Sequence, residues 1–215
     1  MSLFVKICGL DAPDSVAMAV VEGAAMVGFV FYPPSPRNLT PEAAGRLVAG
    51  VPSGIDRVGL FVDPKDSELG AVLAEAPLDL IQLHGSETPA RVKEVRATFK
   101  RPVIKAIKVE NAADLDAASA FDGVADWLLF DAKPPKTMTN ALPGGNRVSF
   151  DWTLLQGRRF KRPWLLAGGL DADNLAEAVR QSGAMAVDVS SGVEQRLGVK
   201  DPKRIQAFLR AARAL

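Results

Sequence analysis

The chain has 215 residues, 48% apolar and 24% charged, with 26 basic side chains against 25 acidic ones and a net charge of +1. That length suits one domain with a substantial core, and so even a charge balance carries no electrostatic footprint for nucleic acid or a membrane surface. One cysteine and one histidine exclude a disulfide framework and a multi-cysteine metal site, and they argue against a zinc enzyme.

No apolar run approaches the roughly 20 residues that span a bilayer. Lys6 interrupts the first apolar stretch and no small-residue cleavage pattern follows it, so a signal peptide is not expected and a reducing cytoplasm is the expected compartment.

Taken in order, short β-rich runs at 4–8, 25–31, 57–62, 78–83, 102–108, 125–131, 163–167 and 184–189 alternate with segments of helical period. The runs are nearly continuous in apolar character, as in parallel strands covered by helices. Run one ends in Cys8-Gly9, with Asp11 expected to cap the helix that follows. After run two comes Tyr32-Pro33-Pro34-Ser35-Pro36-Arg37-Asn38, a loop stiffened by its prolines. Thr40-Pro41, Asp63-Pro64, Thr88-Pro89 and Asp201-Pro202 each place a capping oxygen before a proline and predict helix starts. Val92, Val95 and Phe99, and later Ile205, Phe208 and Leu209, give two of these helices a buried stripe.

Run six is followed by 132–148, which has no periodicity and is broken by Pro134-Pro135 and Pro143-Gly144-Gly145. Loops beyond roughly 12–15 residues in compact domains are usually functional, and this one reads as a lid. Segment 151–156 is a poor helix candidate. Gly168-Gly169 follows run seven, Asp171 is expected to cap the next helix, and Ser190-Ser191-Gly192 follows run eight. Eight strand–helix units predict a single (β/α)8 barrel over 1–215, a lean one against the roughly 250 residues that are typical. The alternative is an open doubly wound sheet. It lacks support, because no Gly-x-Gly-x-x-Gly follows the first strand.

In a barrel, alternate side chains face the interior. Lys6 and Cys8 then share a face, as do Leu80, Gln82 and His84, as do Trp127, Leu129 and Asp131, and as do Ala186, Asp188 and Ser190. Polar groups therefore gather at the carboxyl ends of the strands, where barrels do chemistry. Asp131 cannot be a helix cap, because Lys133-Pro134-Pro135 cannot start a regular helix. Desolvation in a barrel mouth favours the protonated form of a carboxyl, as a general acid requires. A buried cysteine is commonly just a small apolar residue. Beside Asp131 at a strand end, Cys8 instead becomes a candidate base, provided that neighbours sustain its thiolate. His84 is a rival base or a loop histidine. Gly168, Gly169, Ser190, Ser191 and Gly192 fall where barrels bind phosphate. Arg37 offers a guanidinium fork for a carboxylate.

The chain resembles the phosphoribosylanthranilate isomerase family. The resemblance is carried by Val5-Lys6-Ile7-Cys8-Gly9-Leu10, Gly28-Phe29-Val30-Phe31 with Ser35-Pro36-Arg37, Arg57-Val58-Gly59-Leu60-Phe61-Val62 and Ile81-Gln82-Leu83-His84-Gly85. It continues through Leu129-Phe130-Asp131, Phe150-Asp151-Trp152, Leu166-Ala167-Gly168-Gly169-Leu170 and Val187-Asp188-Val189-Ser190-Ser191-Gly192-Val193-Glu194. The resemblance implies a barrel that uses no metal or organic cofactor, with Cys8 as general base and Asp131 as general acid. It implies that Arg37 holds the anthranilate carboxylate and that the glycine and serine turns bind the phosphate; His84 and Asp188 are expected to bind substrate as well. The implied partner is a small phosphorylated substrate, with neither nucleic acid nor membrane, and the implied state is a monomer or homodimer. Arg147 after Asn146, and Gln195-Arg196-Leu197, depart from the smaller residues common in the family.

Three rivals remain at this point. The histidine-pathway isomerase resembles an aspartate pair where this chain has Cys8 and Asp131. Indole-glycerol-phosphate synthase uses a lysine acid, for which Lys6 and Lys105 are candidates, but the surrounding motifs do not match. A non-catalytic phosphometabolite-binding barrel is the third.

Overall fold

The computed structural model describes residues 3–135, 137–139 and 141–215; Lys136 and Asn140, inside the expected lid, lie outside the described residues. Eight parallel strands close into a barrel in sequence order. They are β1 (Phe4–Cys8), β2 (Met26–Phe31), β3 (Asp56–Phe61), β4 (Leu80–Leu83), β5 (Val103–Val109), β6 (Trp127–Ala132), β7 (Trp164–Leu166) and β8 (Ala186–Val189). Each lies within two residues of the span expected from sequence. Closure is made by β1 against β8, with Lys6 opposite Asp188.

Between the strands run α1 (Pro13–Val21), α2 (Pro41–Val48), α3 (Asp66–Glu75), α4 (Pro89–Phe99), α5 (Ala112–Ala117) and α6 (Leu175–Ser182), and α7 (Pro202–Arg213) follows β8. Among the described residues, no α-helix lies between β6 and β7. Its place is taken by the long loop and a 3₁₀ turn over Trp152–Leu155, in keeping with the weak helical character of 151–156. A short antiparallel hairpin, β9 (Glu194–Arg196) and β10 (Val199–Lys200), sits between β8 and α7.

The capping expectations divide. Thr40, Thr88 and Asp201 accept backbone N–H groups at the starts of α2, α4 and α7, each before a proline. Asp63 does not cap. Its φ is +47°, α3 begins later with Lys65 at its N-cap, and the Asp63 carboxylate accepts from the Ser86 N–H instead. Asp11 does not cap either, since α1 starts at Pro13 behind Ala12. Asp171 accepts from the N–H groups of Asp173 and Asn174, which closes a turn just ahead of α6 rather than the helix itself.

Two cores result from the strand alternation. Outward side chains such as Ile7, Phe29, Ile81 and Phe130 pack under the helices. Inward side chains such as Met26, Val58, Leu80, Ile104 and Leu129 fill the barrel, and Phe4 stacks on Trp127 at 5.7 Å to plug its amino end. The interior is thus packed with apolar side chains up to its upper layer, where the inward positions turn polar.

Candidate active site

The cleft lies over the carboxyl ends of the strands, spans about 760 Å³ including the space where it opens to solvent, and has Cys8, Asp131, His84 and Arg37 on its walls. Strand periodicity makes it. Two residues above Lys6 is Cys8, above Gln82 is His84, above Leu129 is Asp131 and above Ala186 is Asp188, so each strand end lifts its polar residue to the mouth.

Cys8 is buried beside a charge pair. Lys6, wholly enclosed, donates from Nζ to Asp188 Oδ1 at 2.8 Å. A Cβ on Gly28 would meet both Cys8 Sγ and Lys6 Nζ, at 3.0 and 3.1 Å, so glycine on β2 is what lets thiol and ammonium converge. Burial pushes the Cys8 thiol up and Asp188 adds to the rise, while Lys6 and, more weakly, Lys200 pull it down; the net direction is up. Burial works against the Lys6 charge, but Asp188 and the Cys8 sulfur outweigh it and hold the ammonium above the ordinary lysine range.

Across the mouth, His84 Nε2 lies 3.1 Å from Asp131 Oδ2, and Gln82 Nε2 lies 2.9 Å from His84 Nδ1. The other Asp131 oxygen accepts the Ala132 N–H at 2.9 Å. His84 is thus engaged at both ring nitrogens. It is the middle member of a buried chain from Gln82 to Asp131.

The long loop closes over this chain. A Cβ on Gly144 would lie 2.8 Å from His84 Nε2 and 2.9 Å from Asp131 Oδ2, so only a glycine lets the loop backbone settle there. Farther along, Asn146 ties the loop to itself through the N–H and carbonyl of Leu142. Arg147, at φ +57°, donates to the Glu194 carbonyl rather than into the cleft.

Arg37 is nine-tenths or more buried and is already engaged. Its Nε and Nη2 donate to the two oxygens of Glu194 at 2.6 and 3.0 Å, and Nη2 also reaches the Gly145 carbonyl. The two-toothed edge of the fork, expected to face a substrate, is thus taken by Glu194, while Nη1 lies against Gly145 of the long loop. Glu194 accepts Lys200 Nζ and the Gly198 N–H as well. Burial raises the Glu194 carboxyl, but Arg37 and Lys200 outweigh that and hold it below the ordinary glutamate range. Lys200 also donates to the carbonyl and hydroxyl of Ser190, which links this cluster to the loop after β8.

Gly168, Gly169, Asp188, Ser190 and Ser191 all line the cleft. Gly192 does not. It packs against the Leu170 carbonyl, where no side chain fits, and its place is to hold the loops after β7 and β8 together. Four participants were not assigned roles from sequence: Lys6, Gln82, Glu194 and Lys200. Alternation had set Lys6 and Gln82 on the right faces. Nothing local pointed to Glu194 and Lys200, whose partners come from distant segments.

The model of the N-(5'-phosphoribosyl)anthranilate (PRA) isomerase family matches residues 5–211. The chain belongs to the phosphoribosylanthranilate isomerase family. It is 60% identical to N-(5'-phosphoribosyl)anthranilate isomerase of Rhodospirillum centenum and 57% identical to that of Paramagnetospirillum magneticum, covering 100% and 98% of those proteins and 100% and 99% of itself. Among solved structures, it is similar to phosphoribosyl anthranilate isomerase of Thermotoga maritima, with a TM-score of 0.87 and 36% identity over 99% of this chain and 100% of that one. It is also similar to a phosphoribosyl anthranilate isomerase in complex with reduced 1-(o-carboxyphenylamino)-1-deoxyribulose 5-phosphate, with a TM-score of 0.85 and 34% identity over 99% and 100% of the two chains. The barrel, its single-domain form and its isomerase chemistry agree with the expectation from sequence. Among the described residues, no helix is long and apolar enough to cross a membrane.

Proposed function

We propose that the cleft carries out the Amadori rearrangement of N-(5-phospho-β-D-ribosyl)anthranilate to 1-(2-carboxyphenylamino)-1-deoxy-D-ribulose 5-phosphate in tryptophan biosynthesis, with Asp131 as acid and Cys8 as base. One observation carries the reading: a thiol on β1 and a carboxyl on β6 open into the same buried cleft. Asp131 gives a proton to the ribose ring oxygen, and the C1–O bond breaks to leave an imine. The Cys8 thiolate takes the proton from C2, and the electron pair moves to form the enolamine. Protonation at C1 and loss of the O2 proton then give the ketose, so the sum is an isomerisation.

The substrate is anionic at both ends. Support for its binding comes from the loops bearing Gly168, Gly169, Ser190 and Ser191 and from Arg37, all of which line the cleft. Lys6 favours the thiolate that the base step needs, and the loop across Gly144 excludes water from the acid. A free thiol as base suits a reducing cytoplasm. A Thermotoga maritima relative is described as dimeric, and either a monomer or a homodimer is compatible with this site.

The test follows the loss of anthranilate-substrate fluorescence. Wild type consumes the signal, whereas a binding module leaves it steady. Positioned acids and bases contribute roughly 10²–10⁴-fold, so Cys8→Ala and Asp131→Ala each lower kcat by at least about 10²-fold with a smaller effect on KM. An active Asp131→Ala enzyme overturns the assignment.

A further inference from the structure

Asp131 presents a difficulty as an acid. Both of its oxygens face donors in the arrangement described: Ala132 N–H at Oδ1, and the His84 ring at Oδ2. With the NH₂ of Gln82 donating to Nδ1, the neutral ring carries its proton on Nε2 and donates it to Asp131. That arrangement suits a carboxylate, the state after a proton has been delivered. The state before delivery needs one more proton on the pair.

Gln82 shows where that proton is accommodated. It is completely buried, and among the described residues its Oε1 has no hydrogen-bond partner. An amide carries an acceptor on one side and donors on the other. Turned about its last bond, Gln82 offers Oε1 to Nδ1–H. The ring can then be an imidazolium donating to the Asp131 carboxylate. Equally, it can be a neutral Nδ1–H ring accepting from a protonated Asp131. These two differ only by one proton moving from Nε2 to Oδ2. In either orientation one side of the amide faces His84 and the other goes unpaired, so neither orientation wins on hydrogen-bond count.

We propose that Gln82 is a positioning residue for the acid: its amide turns to accept Nδ1–H of His84 when the His84–Asp131 pair takes up the proton that Asp131 delivers. The acid is then a two-residue store, with His84 as reservoir and Asp131 as the group that meets the ring oxygen. This rests on Asp131 being the acid. The other charged and titratable groups around the pair are Lys108 on β5, which is in register with Asp131, the buried Lys105–Glu87 pair, which bonds the backbone of Leu83 and Gly85 on either side of His84, and Cys8, Asp188 and Arg37, which line the same cleft. None of them hydrogen-bonds to either ring nitrogen among the described residues.

His84 is the only histidine in the chain, so ¹⁵N-histidine labelling reads its two nitrogens without assignment. Gln82→Glu has the same shape but can only accept. It is expected to show both ring nitrogens protonated at neutral pH, and to move the basic limb of the kcat/KM profile upward by about one pH unit or more. Gln82→Met, of similar length but without polar atoms, is expected to lose at least about 10-fold in kcat/KM at neutral pH, with Gln82→Glu retaining activity there. An unchanged ¹⁵N pattern in Gln82→Glu overturns the proposal. So does a changed pattern with an unmoved basic limb. Failure of the acid assignment itself is read separately, as an Asp131→Asn enzyme that stays active.

Discussion

Glu194 meets Arg37 as a two-point ion pair, with Oε1 2.6 Å from Nε and Oε2 3.0 Å from Nη2, both side chains buried. The guanidinium is therefore aimed before any ligand arrives, and Lys200 on the same carboxylate ties that aim to Ser190.

Glu194→Gln removes the charge that holds two buried cations. Breaking one side of a buried pair costs about 3–5 kcal/mol, so the variant unfolds at lower urea at pH 7. The sign with pH follows from the lowered carboxyl. Its stabilising contribution is present above the ordinary value of 4.5 and is lost as pH falls through the folded value. The stability gap between wild type and Glu194→Gln therefore narrows on acidification below 4.5. A gap that stays constant with pH removes Glu194 as the ionised partner. In the fluorescence assay the same variant raises KM more than it lowers kcat.

Alkylation by iodoacetamide reads the Cys8 thiolate directly. Burial raises this thiol and prevails over Lys6 and Lys200, so the rate rises with pH with a midpoint above 9.0. Because the folded value is raised, the neutral thiol stabilises the fold below the unfolded value, and that contribution is lost as pH climbs through the folded one. Lys6→Met moves the midpoint higher still and strands the Asp188 carboxylate, lowering stability by about 3–5 kcal/mol. A wild-type midpoint at or below 9.0 means that the ammonium outweighs burial.

Gly144→Ala places a methyl group against His84 and Asp131, within 3.0 Å of both. The loop must lift, so kcat falls by as much as about 10²-fold, while stability changes by about 0.5 kcal/mol or less at this loop position. Steady-state kinetics and thermal unfolding separate the two effects. An unaltered kcat shows that the loop does not rest on the acid during turnover.

Much of the architecture was legible because strand and helix periods are local properties. The apolar runs located all eight strands, and Thr-Pro and Asp-Pro pairs located three helix starts. Asp63 misled because a side chain before a proline has other places to go, and Asp11 because the helix begins at Pro13, which leaves Ala12 at the N-cap. Asp63 takes up a left-handed backbone and turns to the neighbouring loop at Ser86, a contact that only the closed barrel creates. Alternation likewise gathered Cys8, His84, Asp131 and Asp188. Pairing was beyond it: that Arg37 is met by Glu194 depends on the strand order and on a two-strand hairpin with no strong sequence signal. Gly192 shares the serine turn after β8, but only the folded barrel shows that the Leu170 carbonyl packs where its side chain would be.

The separation of Arg37 and Glu194 along the chain, 157 residues, also orders events during synthesis. An emerging chain presents the arginine long before its counter-ion exists, and the hairpin that supplies it follows the last barrel strand. Until then the guanidinium stays in water, because entering the mouth alone would bury an uncompensated charge. The Arg37–Glu194 corner of the mouth thus cannot set until the hairpin after β8 has emerged. A ribosome-bound chain stalled before residue 194 presents the staves of the barrel without a finished mouth.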